Sequence, residues 1–372
     1  MWQRVLNYPH LGILLLAWFL TLLQIPLLIR LGYLLGAVDK PRDYKKHKDA
    51  VPFLGGVAVF LSFAVAIVSM MRQSDLRPFA SALDFLARGE LHRLFGIVLG
   101  GGFMLLLGLL DDFRPINAAV KLAVLFVIAL FLQRFGIGVR LFPEPWDWAN
   151  TVVAVLWIAG IASAMNSLDH MDGNCAGAAA VSAFFTFVYA WNPPQQWLSY
   201  AAVAVLGASL GFLQFNWKPA RIFLGNSGAF LLGFLLAAMG ILGTWGTQDE
   251  PAKAVLVPVL LLGVPLYDIT LSTLLRYKNR VVRSVYEAIV YCGRDHVSHR
   301  LVALGLSERA AVAFQGFLGC LFGMVALSAK HCSTPTFLYG ACLLLLFLVG
   351  LAVVLDRAPV YGSRASGAGR ED

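Results

Sequence analysis

Apolar residues run along this chain in long uninterrupted blocks and do not alternate with polar ones. Eleven blocks can be read, at about 11–36, 52–71, 94–110, 118–135, 150–165, 175–191, 198–215, 228–246, 253–275, 309–329 and 336–355. A helix needs about 20 mostly apolar residues to cross the hydrocarbon core of a bilayer, which is the scale of these blocks. Strands of a membrane barrel alternate in hydrophobicity over about ten residues, so the pattern argues against a barrel. It predicts an all-α, polytopic integral membrane protein with about 11 transmembrane helices. The first block is too long for a signal peptide, follows only Arg4 and lacks a small-residue cleavage site. It reads as a retained helix. Residues 1–355 read as one transmembrane domain, and 356–372 as a polar, disordered cytoplasmic tail. Gly-x-x-x-Gly pairs at Gly207/Gly211 and Gly319/Gly323 permit close helix packing. Among 35 glycines chance alone produces such pairs, so they carry little weight.

Composition points the same way. Of 372 residues 59% are hydrophobic and 13% charged, with mean hydropathy +0.74. Soluble domains carry about 45–50% apolar and about 25% charged residues. Disordered, collagen-like and disulfide-scaffold classes are excluded, and a water-soluble enzyme is disfavoured. Cys175, Cys292, Cys320, Cys332 and Cys342 form no C-x-x-C pair and no His/Cys ligand spacing. Eleven crossings put alternate loops on one side: those near 37–51, 111–121, 166–174, 216–227 and 276–308, with the tail. They hold 19 of the 29 basic residues, counting Arg309 at the edge of the last loop. The positive-inside rule assigns them to the cytoplasm and the N-terminus to the outside. Basic loops at an anionic leaflet account for the net charge of +8, with no need for nucleic acid as a partner.

Scarcity of charge makes the positions of the acids informative. Asp111-Asp112 end the third block, Asp169 and Asp172 end the fifth, and Asp268 lies inside the ninth. Acids at membrane depth are costly and usually face a polar cavity. The orientation drawn from Lys and Arg alone brings both pairs to one face. Adjacent carboxylates repel unless a cation or a shared proton compensates, and Mg²⁺ takes one or two carboxylates together with waters and phosphate oxygens. The same face carries Lys45, Lys46, His47, Lys48, Lys121, Lys218, Arg221, Arg294, His296, His299 and Arg300. Acids and bases together suit a metal-bridged diphosphate, since phosphoryl transfer depends chiefly on positioning and charge neutralisation. No G-x-x-x-x-G-K-[ST] loop occurs, so a P-loop nucleotide site is not available. Bland readings stand beside each: a solvated helix stop for Asp111-Asp112, and a topology signal for Lys45 to Lys48. A helix C-terminus is a poor place for Asp169 and Asp172 on dipole grounds, which weakens their bland reading.

In order along the chain, these segments resemble the polyprenyl-phosphate N-acetylhexosamine-1-phosphate transferases, the bacterial glycosyltransferase family 4. The resemblance runs from about residue 38 to 308. Val38-Asp39-Lys40-Pro41, Lys45-Lys46-His47 and Val51-Pro52-Phe53-Leu54-Gly55-Gly56 look like the family's first cytoplasmic motif. Gly108-Leu109-Leu110-Asp111-Asp112 with Lys121 resembles its Asp-Asp segment, and Asn166-x-x-Asp169-x-Met171-Asp172-Gly173 its N-x-x-D-x-x-D-G motif. Phe215-Asn216-Trp217-Lys218 leads towards a G-D-x-G-S motif that here reads Gly225-Asn226-Ser227-Gly228-Ala229. Pro265-Leu266-Tyr267-Asp268 and Gly293-Arg294-Asp295-His296-Val297-Ser298-His299 resemble the closing His-rich loop, with Ser298 where many relatives have histidine in H-x-H-H.

The resemblance implies transfer of N-acetylhexosamine-1-phosphate, with GlcNAc-1-phosphate favoured, from a UDP-sugar to undecaprenyl or a similar polyprenyl phosphate. UMP is released, in the first membrane step of a cell-envelope glycan at the bacterial inner membrane. It assigns Asp111, Asp112 and His296 as catalytic. Lys45, His47, Lys121, Asn166, Asp169, Asn216, Arg294 and His299 are assigned to substrate, and Asp112, Asp172 and Asn226 to Mg²⁺, with Mn²⁺ the alternative ion. Asn226 offers a neutral oxygen where the motif has a carboxylate, so weaker metal affinity is expected. That substitution motivates a second reading, a catalytically weakened relative that binds nucleotide sugar or lipid. A transporter would place its acids near helix centres, and most here sit at helix ends. The sugar, the lipid length, the glycan pathway and the assembly, a homodimer among the options, are left open by the sequence.

Overall fold

A computed structural model describes residues 9–40, 50–73, 90–191, 195–247, 249–291 and 293–361. Lys45 and His47 lie outside the described residues, as does the end of the tail. Fourteen helices are described: α1 (Pro9–Leu35), α2 (Gly55–Gln73), α3 (Glu90–Phe113), α4 (Ala118–Leu132), α5 (Asp147–Leu168), α6 (Asn174–Ala190) and α7 (Gln196–Asn216), followed by α8 (Gly225–Leu242), α9 (Pro251–Leu261), α10 (Gly263–Lys278), α11 (Val285–Val290), α12 (Val297–Ala303), α13 (Glu308–His331) and α14 (Thr334–Asp356). Two short strands, β1 (Val38–Asp39) and β2 (Val51–Pro52), pair antiparallel with Val38 opposite Pro52.

All eleven apolar blocks fall on helices, but not on eleven equivalent ones. Among the described residues eight helices are long and apolar enough to cross a membrane. The ninth block breaks into α9 and α10, bent by 79° at Leu262, and makes a ninth span if counted as one. α6 and the apolar part of α2, Gly55–Ser69, are shorter apolar helices. The chain is a multi-pass membrane protein, and its exterior shows why. On α1, Ile13, Ala17, Thr21, Ile25 and Leu28 are buried at helical spacing, while Leu11, Leu15, Phe19, Leu23 and Leu27 form an exposed apolar stripe on the opposite face. An exposed surface of that kind is untenable in water and ordinary against lipid.

α7 and α8 form the enclosed centre, and α4 and α14 are the most exposed of the long helices. α1 lies along α7, α8 packs on α3 and α5, and α13 packs on α6. The glycine pair given little weight in the sequence carries the first of these contacts. A Cβ on Gly207 would lie 2.4 Å from the Leu14 carbonyl oxygen, and one on Gly211 would lie 2.8 Å from that of Trp18. Small residues let helix backbones approach where no hydrophobic force drives them together.

Gly207→Ala should therefore lower the melting temperature of the detergent-solubilised protein by several degrees, because backbone cannot yield as a side chain does. Gly160→Ala, whose Cβ would meet nothing within 4 Å on α5, serves as the control and should not. Equal melting of the two variants would contradict this packing.

Candidate active site

The C-terminal ends of α3, α5 and α7 and the start of α8 meet at one end of the bundle, as the count of Lys and Arg requires. Asp112, in the last turn of α3, is half-buried. Its Oδ1 accepts the Asn226 amide at 2.8 Å and its Oδ2 the Ser227 amide at 3.1 Å. Those amides belong to the first turn of α8, where backbone donors lack helical partners and the helix dipole favours negative charge. Gly108 lets α3 come this close, since a Cβ there would lie 2.2 Å from Ser227 Cα. Gly225, at φ +74°, turns the chain into α8 beside Asp112. The segment before α8 is also fixed from α2's side, by amides of Gly55 and Gly56 donating to the carbonyls of Phe223 and Leu224.

Asp111 is buried and occupied. Its Oδ1 accepts the Ile116 amide at 2.7 Å, and its Oδ2 pairs with Lys121 Nζ at 2.9 Å. Lys121 remains partly exposed, and Asp111 holds its ammonium group at the end of α3, next in the chain to Asp112. Asn216 is buried with both ends of its amide committed, accepting from Gly173 N at 2.8 Å and donating to the Ile222 carbonyl at 2.9 Å. It clamps the acid-bearing turn to the segment after α7. Asp172 is half-buried and accepts the Ala220 amide at 3.1 Å.

Asp169 differs from these acids. It caps the end of α5, and its carboxyl accepts no hydrogen bond from any described residue. Burial, then the charges of Asp112 and Asp172, push it well above the usual carboxylate range. The Asn166 Oδ1 is buried without a partner, and the half-buried Asn226 side chain makes no hydrogen bond among the described residues. Mutually repelling carboxylates beside idle amide oxygens fit a hard cation. No three Asp, Glu, His or Cys side chains converge to hold a metal ion among the described residues. A cation here would take only one or two of these oxygens and would have to complete its shell with water and phosphate oxygens, a way of binding open to Mg²⁺.

The His loop is built on a second buried carboxylate. Asp268, in α10, accepts His296 Nδ1 at 2.6 Å and the Val297 amide at 2.8 Å, so it fixes the start of α12. His296 Nε2 lies 3.3 Å from an Arg276 guanidinium nitrogen, which donates, and these partners fix the tautomer with the proton on Nδ1. Arg276 pairs through two hydrogen bonds with Asp295, 2.7 and 2.8 Å long. Burial works against the Asp295 charge, but hydrogen bonds from Arg276 and Tyr361 outweigh it and hold the carboxyl below its ordinary value. The Tyr361 hydroxyl donates to Asp295 at 2.7 Å and accepts from Arg300 at 2.8 Å. Ordered chain thus extends beyond residue 355, where the sequence reading begins the tail. His296, expected to be catalytic, is buried in this network; His299 is half-buried and Arg294 exposed nearby.

Arg276 and Tyr361 belong to no motif in the sequence, and Asp295 stands within the His-loop motif with no role attached to it. A basic residue beyond an apolar block reads as loop charge, and nothing marks a tyrosine in a polar tail. Asp268 did carry a signal, an acid within an apolar block.

Residues 94–244 match the family model described as glycosyl transferase family 4. A Bacillus subtilis protein named as a probable undecaprenyl-phosphate N-acetylglucosaminyl 1-phosphate transferase is 27% identical, over 90% of this chain and 89% of its own length. A decaprenyl-phosphate N-acetylglucosaminephosphotransferase of Mycolicibacterium smegmatis is 28% identical, over 87% and 83%. A phospho-N-acetylmuramoyl-pentapeptide-transferase of Bacillus pumilus is 27% identical, over 65% and 76%. These relatives bear out the resemblance read from the motifs.

A carboxyl raised in the folded state contributes stability below its ordinary titration range and loses it as pH rises through the folded value. Asp169→Asn should therefore raise the melting temperature of chelator-treated protein at about pH 8 by a few degrees, with the gain vanishing near pH 4. A gain independent of pH, or none, would contradict the assignment of Asp169 as an uncompensated charge.

Proposed function

We propose that this chain, a relative of the glycosyl transferase family 4 enzymes, transfers N-acetylhexosamine-1-phosphate from a UDP-sugar to undecaprenyl or a similar polyprenyl phosphate. The observation that carries this reading is that Asp112, Asp169 and Asp172 lie at one end of a membrane bundle, where the charges of Asp112 and Asp172 are felt by Asp169, with the Asp111–Lys121 pair adjoining Asp112 in the chain. An oxygen of the lipid phosphate attacks the phosphorus bearing the sugar. The bond from that phosphorus to the UMP oxygen breaks, and UMP leaves with the bonding pair. A phosphate monoester, with a second pKa of about 6, is largely a dianion at neutral pH and has little need of a base.

On this reading Lys121, aimed by Asp111, neutralises a phosphate oxygen. Direct attack by Asp111 would require it to release Lys121. Asp112, Asp172 and the Asn226 amide would hold Mg²⁺, or Mn²⁺ in its place, and Asp169 would meet the bound substrate. The ion supplies charge neutralisation on the diphosphate. Arg294 and His299 face the sugar phosphate, while His296 shapes their loop through Asp268. Asn166, Lys45 and His47 serve the nucleotide; the β1–β2 pair lies beside Phe223, whose amide donates to the Pro52 carbonyl at 2.7 Å. The loops that meet at this end are cytoplasmic and the N-terminus is outside, at a bacterial inner membrane, and the product starts a cell-envelope glycan.

Purified protein with UDP-GlcNAc, polyprenyl phosphate and Mg²⁺ should release UMP. Asp172→Asn should reduce the rate by about 10²-fold or more while still melting as a folded protein. Asn226→Asp, which restores a carboxylate, should lower the Mg²⁺ concentration needed for half-maximal rate. No UMP above a protein-free control with several UDP-sugars would refute the transferase reading.

A further inference from the structure

Three imidazoles cluster where the acid-bearing turn meets the His loop, with His170 in ring contact with both others. The ring of His170, in the turn after α5, lies 4.7 Å from that of His296 at 22° and 4.6 Å from that of His299 at 32°. Its Nδ1 faces the Ser167 carbonyl at 2.7 Å and so carries the proton. Nε2 is left to accept from the Ser298 hydroxyl at 2.5 Å. Ser298 is fully buried in the first turn of α12, at the position where the H-x-H-H motif has a histidine.

We propose that His170 supplies, from the acid-bearing turn, the imidazole that the His loop lacks at position 298, and that the His170–Ser298 pair positions the two loops against each other. His170 is the neighbour of Asp169 and lies two residues from Asp172, while α12 is fixed independently through Asp268. A link from His170 to Ser298 therefore sets the distance between the acids and the His299 side of the site. His170 touches no reacting atom in this scheme and is a positioning residue. Its effect on turnover rests on the transferase reading, whereas its coupling to Ser298 rests on geometry alone.

The test moves the ring. His170→Gly should lower the rate of UMP release at least about tenfold, since small displacements of catalytic geometry cost that much or more. Ser298→His alone should also lose activity, because two imidazoles then compete for one volume. The double variant His170→Gly/Ser298→His should recover to within about threefold of the parent, a rescue that a generic packing role does not give. Full activity in His170→Gly, or no recovery in a double variant that melts like the parent, would overturn the proposal. A thermal double-mutant cycle with His170→Ala and Ser298→Ala is read without substrate. Melting shifts that do not add support the pair even if the parent releases no UMP, and additive shifts overturn it.

Discussion

The carboxylate of Asp112 on the first turn of α8 is the contact on which the site depends. It joins the end of α3 to the start of the most enclosed helix, using both oxygens on adjacent amides. In a membrane a helix end without partners is costly, and a negative group at its N-terminus offsets both the idle donors and the dipole. Through this contact Asn226 comes beside the acid pair, and the Phe223–Leu224 segment lies against α2. Asp268 repeats the device at α12, where it fixes His296 and Val297. The scarce acids thus act first as fasteners of helix ends, and the site is formed by the helix ends so fastened.

That dual use explains what was legible in the sequence. Continuous apolar blocks located every long helix, because a spanning segment without barrel-like alternation must satisfy its backbone as a helix, and the distribution of Lys and Arg anticipated which helix ends meet. Lengths were less legible. The break at Leu262 is not seen by an apolar window, which runs straight through Pro258, Gly263 and Pro265. Gly207 and Gly211 looked like chance and prove to be contacts, since glycine spacing alone does not say which neighbour lies opposite.

Within the site, residue types were easier to read than their commitments. Asn216 reads as a substrate ligand from its motif, yet both ends of its amide hold backbone. His296 reads as catalytic, yet Asp268 and Arg276 occupy its nitrogens. Asp169, in the same motif as Asp172, is the acid left without a hydrogen-bond partner among the described residues. His170 and Tyr361 were silent because their partners lie 128 and 66 residues away. Such pairings belong to the fold and leave no local pattern.

The central claim is that these acids form half of a cation site, completed by a substrate's diphosphate. Electron paramagnetic resonance of Mn²⁺ with the purified protein, with and without UDP, tests it most directly. The account predicts one tightly bound ion that appears only with UDP and is lost in Asp172→Asn. An ion bound equally well without UDP, or retained in that variant, would contradict it.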